Sequence, residues 1–152
     1  MEKAITHFNI RVYGLIINSD NQLLVTDEYC AGMFMTKFPG GGLEFGEGLT
    51  EALKREFLEE CSEEIDVTGH FYTTDFFQVS AFNTAAQLIS VYYTAKFSGA
   101  PQLMFATYAR EGLEMVDDSQ VFRWISLDTL SEDDLTWPVD KFVVSRLLGG
   151  RR

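Results

Sequence analysis

The stretch GGLEFGEGLTEALKREFLEE, Gly41 to Glu60, is a glycine-rich turn that runs into a helix loaded with glutamates at Glu56, Glu59 and Glu60. Counted from Leu49 at about 100° per residue, Leu53 falls at about 40°, Phe57 at about 80° and Ala52 at about −60°. On the same wheel Glu56 falls at about −20°, Glu60 at about 20° and Glu59 at about −80°. Two carboxylates therefore sit inside the apolar stripe, where a merely solvated acidic face would not put them. Half-buried like charges repel and lose hydration, so something must compensate them. A hard divalent cation does so, because Mg²⁺ and Mn²⁺ take oxygen ligands and keep waters for a substrate phosphate. The competing reading is an acidic surface helix with local pairs such as Glu51 with Arg55 or Lys54. The wheel positions favour the metal site.

The same stretch resembles the box of the Nudix hydrolases: a Gly, five residues, a Glu, seven residues, then Arg-Glu-apolar-any-Glu-Glu-any-Gly-apolar. Gly41, Glu47, Arg55, Glu56, Phe57, Glu59 and Glu60 fall on it in register, and Phe38-Pro39-Gly40 matches the usual lead-in. Ser62 and Glu63 stand where the box has Gly and an apolar residue, a departure that bears on the helix C-cap rather than on metal ligands. The resemblance implies an α+β fold, an α/β/α sandwich with a mixed sheet packed between helices. It also implies metal-dependent hydrolysis of a phosphoanhydride in a nucleoside diphosphate linked to another moiety, with water attacking phosphorus. The alternative is a non-catalytic nucleotide-sensing module, which the retention of all three box acids argues against.

Carried over residue by residue, the resemblance makes Glu56, Glu59 and Glu60 the metal-binding acids, with Mg²⁺ or Mn²⁺ as cofactor. The Gly40 carbonyl is added as a ligand, since glycine lets the chain approach an ion closely. Glu56 or Glu59 is the proton acceptor, with Glu111 and Glu114 as loop alternatives. Glu47 and Arg55 organise the junction of loop and helix with Gly41, and Glu44 stands behind them. Glycines at 40, 41 and 42 form neither a P-loop nor the dinucleotide fingerprint, since no Gly-Lys-Ser/Thr follows and the spacing misses by one.

Further out, Arg11 lies in an otherwise apolar strand and needs an anionic partner: a substrate phosphate, a box glutamate or an internal ion pair. Lys37, just before Phe38-Pro39, is a second substrate-binding candidate. His7 and His70 have no partner spacing and read as structural or exposed. Phe76, Phe77, Phe82, Tyr92 and Tyr93 read as core before they read as a base-stacking set. Some relatives that cleave ADP-ribose carry a proline beyond the box, and this chain has none between Pro39 and Pro101. Where dinucleoside-polyphosphate relatives often have a tyrosine, it reads Gln78-Val79-Ser80-Ala81. A nucleoside triphosphate or a nucleotide sugar stays open.

His7–Ile17 reads as a strand buried on both faces, followed by a turn at Asn18–Asn21 and strands at Gln22–Asp27 and Met33–Phe38. Asp66–Phe82 and Gln87–Phe97 read as long strands, the second with Ile89, Val91, Tyr93, Ala95 and Phe97 on one buried face. Gln120–Ile125 is a further strand, and Ser126 starts a helical turn. Pro138 opens a last helix with a stripe of Val139, Phe142, Val143 and Leu147, ended by Gly149. Gly99 to Asp118 fits no element and is the expected place for a substrate lid.

At 152 residues, 46% hydrophobic and 23% charged, the chain suits one globular domain over residues 1–152. A net charge of −11 disfavours nucleic-acid polymers and anionic membranes as partners, though a small phosphate ester still binds through metal ions. Cys30 and Cys61 lack metal-type spacing, and Met1-Glu2-Lys3 opens no signal-like segment, so a cytoplasmic setting is expected. Cys61 reads as a small core residue. Many relatives dimerise, so the resemblance allows a homodimer.

Overall fold

Alternating apolar residues, punctuated by turn formers, build seven strands and two α-helices among residues 4–149, which the computed structural model describes. Met1-Glu2-Lys3 lies outside the described residues. The strands are β1 (His7–Ile16), β2 (Gln22–Cys30), β3 (Met33–Lys37), β4 (Gly40–Gly42), β5 (Ile65–Thr73), β6 (Ala86–Phe97) and β7 (Ser119–Ser126). The helices are α1 (Leu49–Cys61) and α2 (Pro138–Gly149). The α+β class holds. The hydrogen-bonded ladders form a four-stranded sheet, β4-β1-β6-β5, and a three-stranded sheet, β3-β2-β7. The chain divides into two compact units, one holding the described residues up to Gly14 with Gly40–Gly99, the other Leu15–Pro39 with the described residues from Ala100.

In the first unit α1 packs Leu53 and Phe57 against β1 at Gly14, and the Phe57 ring meets Phe97 of β6 edge-on at 6.3 Å. Ala52, Leu53 and Phe57 are buried, as their wheel positions require. Burial of β1 is two-sided only from Val12 onward, since Phe8 and Ile10 are exposed. The strand expected at Asp66–Phe82 stops at Thr73, and only a bridge between Val79 and Gln87 continues the pairing. On β6 the single buried face is corrected. Ser90 and Tyr92 are buried as well, because Ser90 exchanges hydrogen bonds with Thr74 and Tyr92 stacks between Tyr13 and Tyr72.

Helix α1 ends on Ser62 in the left-handed conformation (φ 58°, ψ 29°), its N–H donating to the Leu58 carbonyl at 3.0 Å. Glu63 is buried, so the position where an apolar residue was expected is covered despite its charge. The Cys61 thiol is half-buried and donates to the Phe57 carbonyl, and burial pushes its pKa up to about 11.

In the second unit β2 is the central strand and carries polar groups on both faces. Asp27, 1% exposed, accepts from Arg123 Nε (2.6 Å), the Thr36 hydroxyl (2.6 Å) and the Arg110 N–H (2.9 Å). Burial alone would raise the Asp27 pKa, but these hydrogen bonds outweigh it and hold the carboxyl below its usual range. The irregular segment from Gly99 to Asp118 is tied down rather than loose. Besides Arg110, the Ala106 N–H donates to Phe122, the Asp118 N–H to Tyr29, and Asp117 accepts from the Ala31 N–H. In α2 the buried stripe is Val139, Val143, Val144 and Leu148, while Phe142 is 38% exposed. No helix among the described residues is long and apolar enough to cross a membrane.

Candidate active site

The loop between β4 and α1 is closed by one arginine. Arg55 grips both oxygens of Glu47, through Nε at 2.9 Å and Nη2 at 2.7 Å, and Nη2 also donates to the Gly42 carbonyl at 2.9 Å. Its Nη1 donates to Glu56 at 3.0 Å and to Glu59 at 3.2 Å, with Glu44 at 3.6 Å. Glu47 in turn accepts the Glu44 N–H at 2.9 Å. These hydrogen bonds, with Arg55 first, hold the Glu47 carboxyl below its ordinary range. The hydrogen bond to Glu47 likewise leads in raising Arg55 well above its ordinary value. The side chain of Arg55 is long and planar, so one guanidinium bonds Glu56 and Glu59 on α1 as well as Glu47 in the loop. Glu51 does not pair with Arg55 but accepts the Gly48 N–H at the start of α1, 3.4 Å away.

The glycine-rich turn contains a short strand, which sequence reading missed. In β4, Gly42, Gly41 and Gly40 pair with Arg11, Val12 and Tyr13 of β1. The carboxylate of Glu56 occupies the space where a Gly41 side chain would begin. Gly40 (φ 150°) backs onto Val12 and Tyr13 with no room for a Cβ. Successive strand residues face opposite ways, so Glu56 meets β4 on one face while Tyr13 and Arg11 meet it on the other. Arg11 therefore does not lie on the face that holds the Glu56 carboxylate. Its Nε donates to Tyr13 Oη at 2.6 Å.

The structure thus brings together Gly41, Glu47, Arg55, Glu56 and Glu59, with Glu44 at the edge. Glu56 is 14% exposed and Glu59 58%, so one is wedged and the other reaches solvent. Glu60 is half-buried. Lys37 belongs to the second unit, where it pairs with Glu28 at 3.0 Å and donates to the Phe38 carbonyl. Glu111, in the same unit, accepts from the Thr107 hydroxyl and N–H, and Glu114 is exposed. Phe76, Phe77 and Phe82 are exposed, against the core expectation, whereas Tyr92 is buried. His7 and His70 are exposed and bond neighbouring Thr6 and Thr73.

The donor chemistry fits a hard divalent cation. Glu56, Glu59, Glu60 and the Gly40 carbonyl offer oxygen alone, and the side-chain-free space at Gly41 lets the Glu56 carboxylate lie against β4. Among the described residues no group of three or more His, Cys, Asp and Glu side chains is arranged so that it could hold a metal ion. Mg²⁺ does not need such a group, since it is held by one or two carboxylates and completes its shell with water and substrate phosphate.

A NUDIX domain family model matches residues 7–146. No curated protein matches the sequence. Among solved structures, a NUDIX hydrolase from Nitrosomonas europaea superposes with a TM-score of 0.67 at 19% identity, covering 95% of this chain and 91% of its own. A MutT NUDIX hydrolase from Burkholderia pseudomallei gives a TM-score of 0.68 at 16% identity, covering 93% of this chain and 98% of its own. A UDP-X diphosphatase gives 0.62 at 16% identity, covering 99% of this chain and 67% of its own. At these identities the superpositions show a shared fold.

Proposed function

Because the chain belongs to the NUDIX family and is a pyrophosphohydrolase, we propose that it hydrolyses a nucleoside diphosphate linked to another moiety, a nucleoside triphosphate or nucleotide sugar, with Mg²⁺ or Mn²⁺. The observation that carries this reading is the wedge of Glu56 between the Gly41 space and Arg55. Glu56, Glu59, Glu60 and the Gly40 carbonyl would hold the ion. When bound, the metal neutralises phosphate charge and makes water a stronger acid. The protein's own residues do the rest. Arg55 keeps Glu56 aimed through the Nη1 hydrogen bond, and the two-point grip of Glu47 keeps Arg55 from swinging. Glu56 and Glu59 are the candidates to take the proton from the attacking water: Glu56 by its fixed position, Glu59 by its access to solvent. Arg11 supplies positive charge to a substrate oxygen on the other face of β4. Lys37, engaged by Glu28, is the weaker contact. The family match, residues 7–146, takes in parts of both compact units, which supports reading the chain as a single hydrolase domain, in a cytoplasmic setting.

The test is phosphate and pyrophosphate release from nucleoside triphosphates, nucleotide sugars, ADP-ribose and dinucleotides, in Mg²⁺, Mn²⁺ and EDTA, with a coupling phosphatase for diester substrates. Turnover of one class in Mg²⁺ or Mn²⁺, abolished by EDTA, supports the reading. A folded protein silent on every class, or equally active in EDTA, contradicts it.

A further inference from the structure

Two arginines meet at Gly42. Arg55 donates to its carbonyl at 2.9 Å, while Arg11 Nη1 lies 3.8 Å from where its Cβ would stand. Arg11 thus borders the acid-bearing loop from the face of β4 opposite to Glu56. Its orientation is set by a neighbour two residues along the same strand face: Nε donates to Tyr13 Oη at 2.6 Å, and the guanidinium carbon lies 5.7 Å from the Tyr13 ring centre. Tyr13 is itself held. It is 8% exposed, and its ring lies 5.3 Å from Tyr92 of β6, which lies 6.4 Å from Tyr72 of β5. The Tyr72 hydroxyl ends the row by donating to Asp75 at 2.6 Å. Three tyrosines on three neighbouring strands therefore form a buried rail behind one guanidinium.

We propose that Tyr13 is a positioning residue that fixes Arg11 to receive an anionic oxygen of the substrate, making this pair a specificity element for the group on that side of β4. The inference rests on the reading of Arg11 as a substrate contact. Its physical content is preorganisation. A free arginine loses side-chain freedom on binding, whereas one already held by a phenol oxygen loses less. The hydroxyl, not the ring, is the active part, since the ring alone would leave Nε without this acceptor.

The experiment measures KM, kcat and thermal midpoint for wild type, Arg11→Ala, Arg11→Lys and Tyr13→Phe, on the panel substrate the wild type turns over fastest. Tyr13→Phe should raise KM about fivefold, the loss of one hydrogen bond to a charged group felt indirectly, with kcat within about twofold. Arg11→Ala should raise KM further, and Arg11→Lys should not rescue it, because an ammonium lacks the planar fork that Tyr13 orients. An unchanged KM in Arg11→Ala overturns the reading of Arg11 as a contact. A raised KM in Arg11→Ala with an unchanged KM in Tyr13→Phe overturns the positioning role alone, whatever happens to the thermal midpoint. Wild type silent on the whole panel contradicts the catalytic reading, and the inference falls with it.

Discussion

Arg55 makes more contacts in the acid-bearing loop than any simple surface residue needs, and its neighbours show what depends on it. It bonds Glu47, Glu56, Glu59 and the Gly42 carbonyl at once. Glu47 is held ionised below its ordinary range. In the unfolded chain that carboxyl would protonate near its usual value of about 4.3. The clamp's stabilisation is therefore fully present above that pH and is lost as pH falls through the lower folded value. Glu47→Gln should flatten the acid limb of the stability–pH curve, measured by denaturant unfolding between neutral and acid pH. At Gly41 the expected effect is steric: Gly41→Ala puts a methyl where the Glu56 carboxylate lies. It should cost about 1–3 kcal/mol of stability or displace Glu56 with a matching fall in kcat. Unfolding and turnover of the same variant together distinguish these from an unaffected protein. The acid positions were legible in sequence because helical periodicity is short-ranged. The grip of Arg55 on them was not, because a wheel places Cβ atoms and ignores side-chain reach.

At the scale of elements, the end of α1 carries a testable strain. Ser62 takes a left-handed conformation that L-residues pay for and glycine does not. Ser62→Gly should therefore stabilise the protein by about 1 kcal/mol, a rise of roughly 2–4 °C in thermal midpoint for a chain this size. An unchanged or lower midpoint would show the serine to be compensated. On β2, Asp27→Asn leaves the half-buried Arg123 charge without its buried counter-ion. It should destabilise by about 3–5 kcal/mol, read as a shift in denaturant midpoint. Element positions were largely visible in the sequence, but three boundaries were not. The Gly40–Gly42 strand hid because glycine carries no strand signal, and its pairing is dictated by β1. The strand at Asp66–Phe82 was drawn too long, since its apolar run continues past Thr73 in exposed phenylalanines. The stripe of α2 shifted from Phe142 and Leu147 to Val144 and Leu148, because tertiary packing chooses among several apolar faces.

For the whole molecule, the seven matched motif positions made the family legible, and their fixed spacing survives in a chain at most 19% identical to the three solved structures compared. The division of strands into two ladders and the tethering of Gly99–Asp118 were not legible, since both rest on contacts between residues far apart in sequence. Ligand linkage acts at this scale. Mg²⁺ together with a bound nucleotide at about 100 times Kd should add about 2.7 kcal/mol of stability, and EDTA should remove the metal-dependent part. A thermal midpoint indifferent to both would leave the acidic loop without its cation.

The most direct measurement is turnover of the panel substrate by wild type, Glu56→Gln and Glu60→Gln, each in Mg²⁺ and in EDTA, with thermal midpoints alongside. Both variants should fold with near-unchanged midpoints and lose at least about 10²-fold in kcat, while EDTA silences the wild type. Full activity in both variants would contradict the assignment of the helix acids to the chemistry.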